Sequence, residues 1–113
     1  MTDITWKKIE RIHAALFGAS GRTGPTGQDL PDWIGPIVAG ETKCYKKFPG
    51  WLHEFMQQAE DNNRRWASMH PKDTQPRIPV VVMHQKGEPT LSDFVVIRLS
   101  DFLPLVEEKN ASI

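Results

Sequence analysis

The chain predicts an α/β sandwich, a mixed central β-sheet flanked by helices in the order α-β-β-(β)-α-β-β-α. Three observations lead there. Residues 49–68 repeat apolar side chains at helical spacing. Two later runs, 78–84 and 94–99, are short, apolar and rich in valine and isoleucine, which suits strands. Strands apolar on both faces need a layer on each side, and helices supply it.

The first element is a helix over about residues 5–17. Trp6, Ile9, Ile12, Leu16 and Phe17 form its apolar stripe, Asp3 or Thr5 caps its start and Gly18 marks its end. Residues 20–28 are turn formers and read as a loop or irregular hairpin. Residues 30–43 hold two candidate strands, one centred on Trp33-Ile34 and one over 37–43, with Gly35-Pro36 as the turn. Pro49 suits the first turn of the long helix, and Pro71 stops it. Its stripe of Trp51, Leu52, Phe55, Met56, Ala59 and Trp66 reads as core rather than as a base-stacking platform. The 78–84 strand, a turn at Lys86-Gly87-Glu88-Pro89 and the 94–99 strand follow. Ser100 or Asp101 then caps a short helix carrying Phe102, Leu105 and Val106. The long helix acts as a crossover that allows a parallel strand pair.

Composition bounds the function. A chain of 113 residues has room for one core, so residues 1–113 are expected to form one domain. Lys+Arg and Asp+Glu both number 14, and this zero balance argues against indiscriminate coating of a polyanion. The single cysteine, Cys44, excludes an intramolecular disulfide and a multi-cysteine zinc site, and reads as a buried thiol. No His-Glu-x-x-His occurs, and no Gly-Lys-Ser/Thr follows the glycines at 18, 21, 24 and 27. With neither a signal peptide nor an apolar run of membrane-spanning length, a cytoplasmic protein with no membrane partner is expected.

The sharpest local feature is Pro31-Asp32, then eight residues, then Glu41-Thr42-Lys43. In an extended strand Glu41 and Lys43 point to one face, because side chains alternate. Asp32 reaches that face if the two strands pair. Two carboxylates converging beside a lysine suit Mg²⁺- or Mn²⁺-dependent phosphodiester hydrolysis. The acids hold a hard cation that keeps several waters. The cation activates one of those waters, and the lysine steadies it or the phosphate charge. Lys43, Lys46 and Lys47 cluster near these residues, Lys7, Lys8 and Arg11 on the first helix, and Arg64 and Arg65 late in the long one. If the clusters converge they form a phosphate-contacting rim.

Taken with Ser20-Gly21-Arg22, Phe48-Pro49-Gly50-Trp51-Leu52, Gln57-Gln58-Ala59-Glu60 and the late run 94–102, this pattern resembles the small PD-(D/E)XK nucleases. Within them it looks most like the phage-type Holliday junction resolvase-like proteins, from about Trp6 to Leu105. The resemblance implies a restriction-endonuclease-like fold and a metal-dependent DNA endonuclease selective for branched DNA. It implies Asp32 and Glu41 as metal ligands, the Thr42 carbonyl as a further ligand and Lys43 as the catalytic lysine. It matches Glu10 to an extra acidic site residue, Gln58 to a site-facing glutamine, and Ser20 and Arg22 to a polar loop near the phosphate. Ala39-Gly40 depart from the bulkier residues usual before the second acid. Glu10 also reads as a surface ion-pair residue and Gln58 as a helix-surface amide. A four-way junction has two-fold character, so symmetric cleavage implies a homodimer. Two other readings stay open: a nuclease of this fold acting on duplex, nicked or flap DNA, and a non-catalytic DNA-binding module.

Overall fold

The structure, a computed structural model, describes residues 6–20 and 30–112. It is a mixed α/β fold. In order the elements are α1 (Trp6–Leu16), β1 (Trp33–Ile34), β2 (Ala39–Gly40), α2 (Gly50–Met69), β3 (Val81–Met83), a 3₁₀ turn (Thr90–Ser92), β4 (Phe94–Val96) and α3 (Leu99–Ala111). β1 pairs antiparallel with β2, and β3 antiparallel with β4, as two separate two-stranded sheets. The parallel pair expected across α2 is not among the pairings of the described residues. Each strand instead pairs with its neighbour in sequence through a local hairpin, which needs no crossover. No helix among the described residues is long and apolar enough to cross a membrane.

The packing divides into two units, one from the described residues of 1–46 and 102–113, the other from 47–101. In the first, Ala14, Phe17, Trp33 and Val106 form the core, with Ile37, Val38, Phe102 and Leu103 packed against it. Phe17 stacks on Trp33, ring centroids 4.8 Å apart and planes 8° from parallel, and meets Phe102 at 5.9 Å. This packing decides which face of α1 is buried. Glu10, Ala14 and Phe17 turn inward, while the expected stripe residues Trp6, Ile12 and Leu16 are exposed. α1 ends as expected at Gly18, whose φ of +77° is the left-handed conformation glycine adopts without a Cβ penalty.

β1 and β2 approach closely for a steric reason. Trp33 is paired with Gly40, and a Cβ on Gly40 would lie 2.0 Å from the indole. The missing side chain at Gly40 is what lets the tryptophan ring lie against the partner strand. β2 is shorter than the expected 37–43 strand. Past Gly40, the Thr42 amide donates to the Asp32 side chain at 2.8 Å rather than to a strand carbonyl.

In the second unit α2 runs over 20 residues, from just after Pro49 to just before His70, close to its expected ends. Only Met56 on it is buried, and Trp51, Phe55 and Trp66 are exposed, so their reading as core is corrected. Val81 and Met83 of β3 are half-buried, whereas Val82 and its partner Val95 are exposed. The hairpin therefore has one covered face, and its strands are not buried on both sides. β3 starts late because Pro79 has no N–H to give a ladder. Arg98 binds Glu60 of α2 through two contacts of 3.3 and 3.4 Å. α3 starts at Leu99, earlier than its expected caps, and continues through Pro104.

Candidate functional site

The candidate site grows from the β1–β2 hairpin. Its register is Trp33↔Gly40 and Ile34↔Ala39, so the next pair outward is Asp32 and Glu41. Carried one step beyond the two paired residues, that antiparallel register would match the two acids, which have eight residues between them. Asp32 Oδ2 accepts the Thr42 N–H at 2.8 Å and closes the open end of the ladder. Lys43 Nζ lies 4.0 Å from Glu41 Oε2, so Glu41 and Lys43 share a side even though β2 has ended. Both side chains are well exposed, which makes this a screened, weak ion pair.

Thr42 alternates inward and is buried. Its hydroxyl accepts the Trp33 Nε1–H at 3.1 Å and meets His13 Nδ1 at 2.9 Å. One threonine thus ties α1, β1 and the Asp32–Glu41 end of the hairpin together. His13 and Trp33 lie 29 and 9 residues from it in sequence, and no motif or spacing signals the contact. Glu10, one turn before His13 on α1, is 2% exposed. Burial at that level is costly for a carboxylate and takes Glu10 off the exposed helix face expected for it. An open depression beside the hairpin is lined by Trp6, Asp32, Thr42, Lys43 and Cys44. Cys44 is exposed there, which corrects its reading as a buried thiol.

Ser20, Lys46 and Lys47 are exposed, and Arg22 lies outside the described residues. Gln58, Arg64 and Arg65 are exposed on α2, in the second unit. Arg64 is paired with Asp61, and Arg65 donates to Asn62 at 3.3 Å.

The donor set can be weighed against a metal. Among the described residues no group of three or more His, Cys, Asp or Glu side chains could hold an ion. That disfavours the closed sets typical of structural zinc. Mg²⁺ usually takes only one or two carboxylates and completes its shell with water and substrate oxygens. Asp32, with Oδ1 left over from the Thr42 contact, and the exposed Glu41 are donors of that kind.

Sequence reasoning passed over a second cluster, at the C-terminal end of α2. Trp66 and His70 stack at 4.0 Å and the Arg77 guanidinium lies 4.9 Å from the Trp66 ring. The 66/70 spacing puts both rings on one helix face, which was the available signal. Asp73 binds Arg77 at 3.0 Å, and this hydrogen bond, with one from the Gln75 amide, holds its carboxyl below its ordinary pKa.

No family model matches the chain, and neither do any curated protein or solved structure.

Proposed function

We propose that the chain is a metal-dependent DNA endonuclease of the PD-(D/E)XK type, acting as a structure-selective resolvase on branched DNA. The observation that carries the reading is the β1–β2 hairpin, whose register leads outward to Asp32 and Glu41, with Lys43 beside Glu41.

Each residue then has a role. Asp32 Oδ1 and the Glu41 carboxylate are the residues that would hold Mg²⁺ or Mn²⁺, with the Thr42 carbonyl as a further ligand. Such a cation would supply polarisation of the phosphate and a water of lowered pKa. Asp32 keeps its orientation because its other oxygen is fixed by the Thr42 amide. Lys43 holds the attacking water or the phosphate oxygens by charge-assisted hydrogen bonds. Glu10, buried on α1 one turn before His13, acts as the extra acid, and Gln58 is the glutamine that the resemblance matches to a catalytic role. Ser20, Arg22, Lys46, Lys47, Arg64 and Arg65 contact phosphates and set orientation without reading sequence. Two copies of the chain cut the two symmetric strands of one junction.

The test uses labelled four-way junction and matched linear duplex with Mg²⁺, Mn²⁺ or EDTA. The junction should be cut selectively with either metal and not at all in EDTA. Asp32→Asn should lose cleavage but keep junction binding, because its amide oxygen still accepts the Thr42 N–H. Equal cutting of duplex and junction would remove the resolvase assignment and leave a general nuclease. Binding without cutting under every metal condition would leave a non-catalytic DNA-binding module.

A further inference from the structure

The second unit holds little core of its own. Among residues 47–101, all of them described, Met56 is the one buried side chain. Beside it, between the first turns of α2 and the end of β4, lies a pocket of about 330 Å³. Phe48, Leu52, Met56, Val96, Ile97 and Leu99 give the pocket an apolar wall. Leu52 and Met56 reach it together because residues four apart share a helix face. Its volume falls in the range of roughly 300–1,000 Å³ usual for small-molecule sites.

Two polar side chains, His53 and Arg98, complete the lining. Glu60 takes the Arg98 guanidinium from the side, on Nε at 3.3 Å and Nη2 at 3.4 Å. That pair sets the plane of the guanidinium and leaves Nη1 without a partner among the described residues. The His53 nitrogens are likewise unengaged there, the ring resting against Phe48 at 6.1 Å between centroids. No carboxylate lines the pocket. Glu60 balances the Arg98 charge from outside the lining, so directed donors rather than net charge would select a ligand. A planar carboxylate matches a guanidinium edge. An ammonium head would meet no anionic side chain in the lining, and a headless hydrocarbon would leave the Nη1 donors unused.

We infer that this pocket binds a small amphiphilic carboxylate, its tail on the apolar wall and its head on the free end of Arg98. At about 30 Å³ per water-sized group there is room for roughly ten heavy atoms, the size of octanoate. A tail seated beside Met56 completes the core of a unit that has little, so binding also stabilises the fold. The inference is independent of the nuclease reading.

The test is NMR of the full chain carrying ¹³C-methyl methionine, titrated with octanoate, 1-octanol and octylammonium below their micellar concentrations. Met56 lies in the wall, whereas Met69 does not line the pocket and serves as the control. Octanoate should shift the Met56 methyl to saturation and leave Met69 unmoved. It should bind about tenfold more tightly than octanol, the scale of one hydrogen bond to a charged group, with octylammonium the weakest. Arg98→Gln should remove the preference for octanoate and leave octanol affinity unchanged. Leu52→Trp, which fills the pocket, should abolish binding of both, and Arg98→Gln carries the test if that variant fails to fold. Equal shifts of Met56 and Met69, no Met56 shift with any of the three, no preference for octanoate, or a preference that survives Arg98→Gln overturns the site.

Discussion

Thr42 shows how much a single side chain can carry. Its hydroxyl meets both Trp33 and His13, and its amide binds Asp32. Thr42→Val keeps the volume but leaves the indole N–H and the imidazole nitrogen without their partner. Leaving a buried polar group unsatisfied costs about 1–3 kcal/mol. We expect Thr42→Val to lower the urea midpoint by that order and Thr42→Ser to keep most of the stability. Loss in Thr42→Ser with none in Thr42→Val would mean that the methyl contact, not the hydroxyl, is what matters. At this scale the sequence was informative only about local chemistry. Asp32, Glu41 and Lys43 stood out because they are close along the chain and flank two adjacent strands. His13 gave no such signal, because its proximity to the hairpin comes from helix packing over 29 residues of separation, and Glu10 was singled out only by the family resemblance.

At the scale of elements, helices were easier to read than strands. α2 is bounded by prolines that forbid its extension, and its residues match the expected span almost throughout. The strands shrank because apolar composition marks where a strand can form but not how far its partner follows. β2 stops where a carboxylate takes over a backbone acceptor, an event no hydrophobic pattern encodes. The orientation of amphipathic faces was also hidden. The buried side of α1 is chosen by the Phe17–Trp33 stack, not by its most apolar stripe. Gly40 tests the hairpin itself. An added Cβ would sit 2.0 Å from Trp33, whose ring is pinned by Phe17 on one face and by Thr42 at its nitrogen. Gly40→Ala should therefore destabilise the protein by about 1–3 kcal/mol, the usual cost of overpacking, and thermal unfolding should show it. An unchanged melting temperature would mean that the Trp33 ring is free to move.

For the whole molecule, zero net charge and a mass of 12.9 kDa set the terms. On the proposed reading some of the fourteen acids would be ligands for a cation that the count leaves out, so the zero balance would not exclude a nucleic-acid partner. A chain of this size offers limited area for a branched polyanion, and symmetric cutting needs two sites. Sedimentation of the chain with junction DNA should give two protomers per junction. One protomer per junction, together with symmetric cutting, would count against the paired-site scheme.

The tryptophans have a practical consequence. Trp33 is 4% exposed, while Trp6, Trp51 and Trp66 are 51, 46 and 42% exposed. Iodide in solution should quench the emission of the three exposed indoles and spare the buried one. The spared signal comes from an indole hydrogen-bonded to the threonine whose amide orients Asp32. The protein therefore carries its own optical probe beside the proposed catalytic acids, and a paramagnetic ion such as Mn²⁺ settling there would dim it without any label.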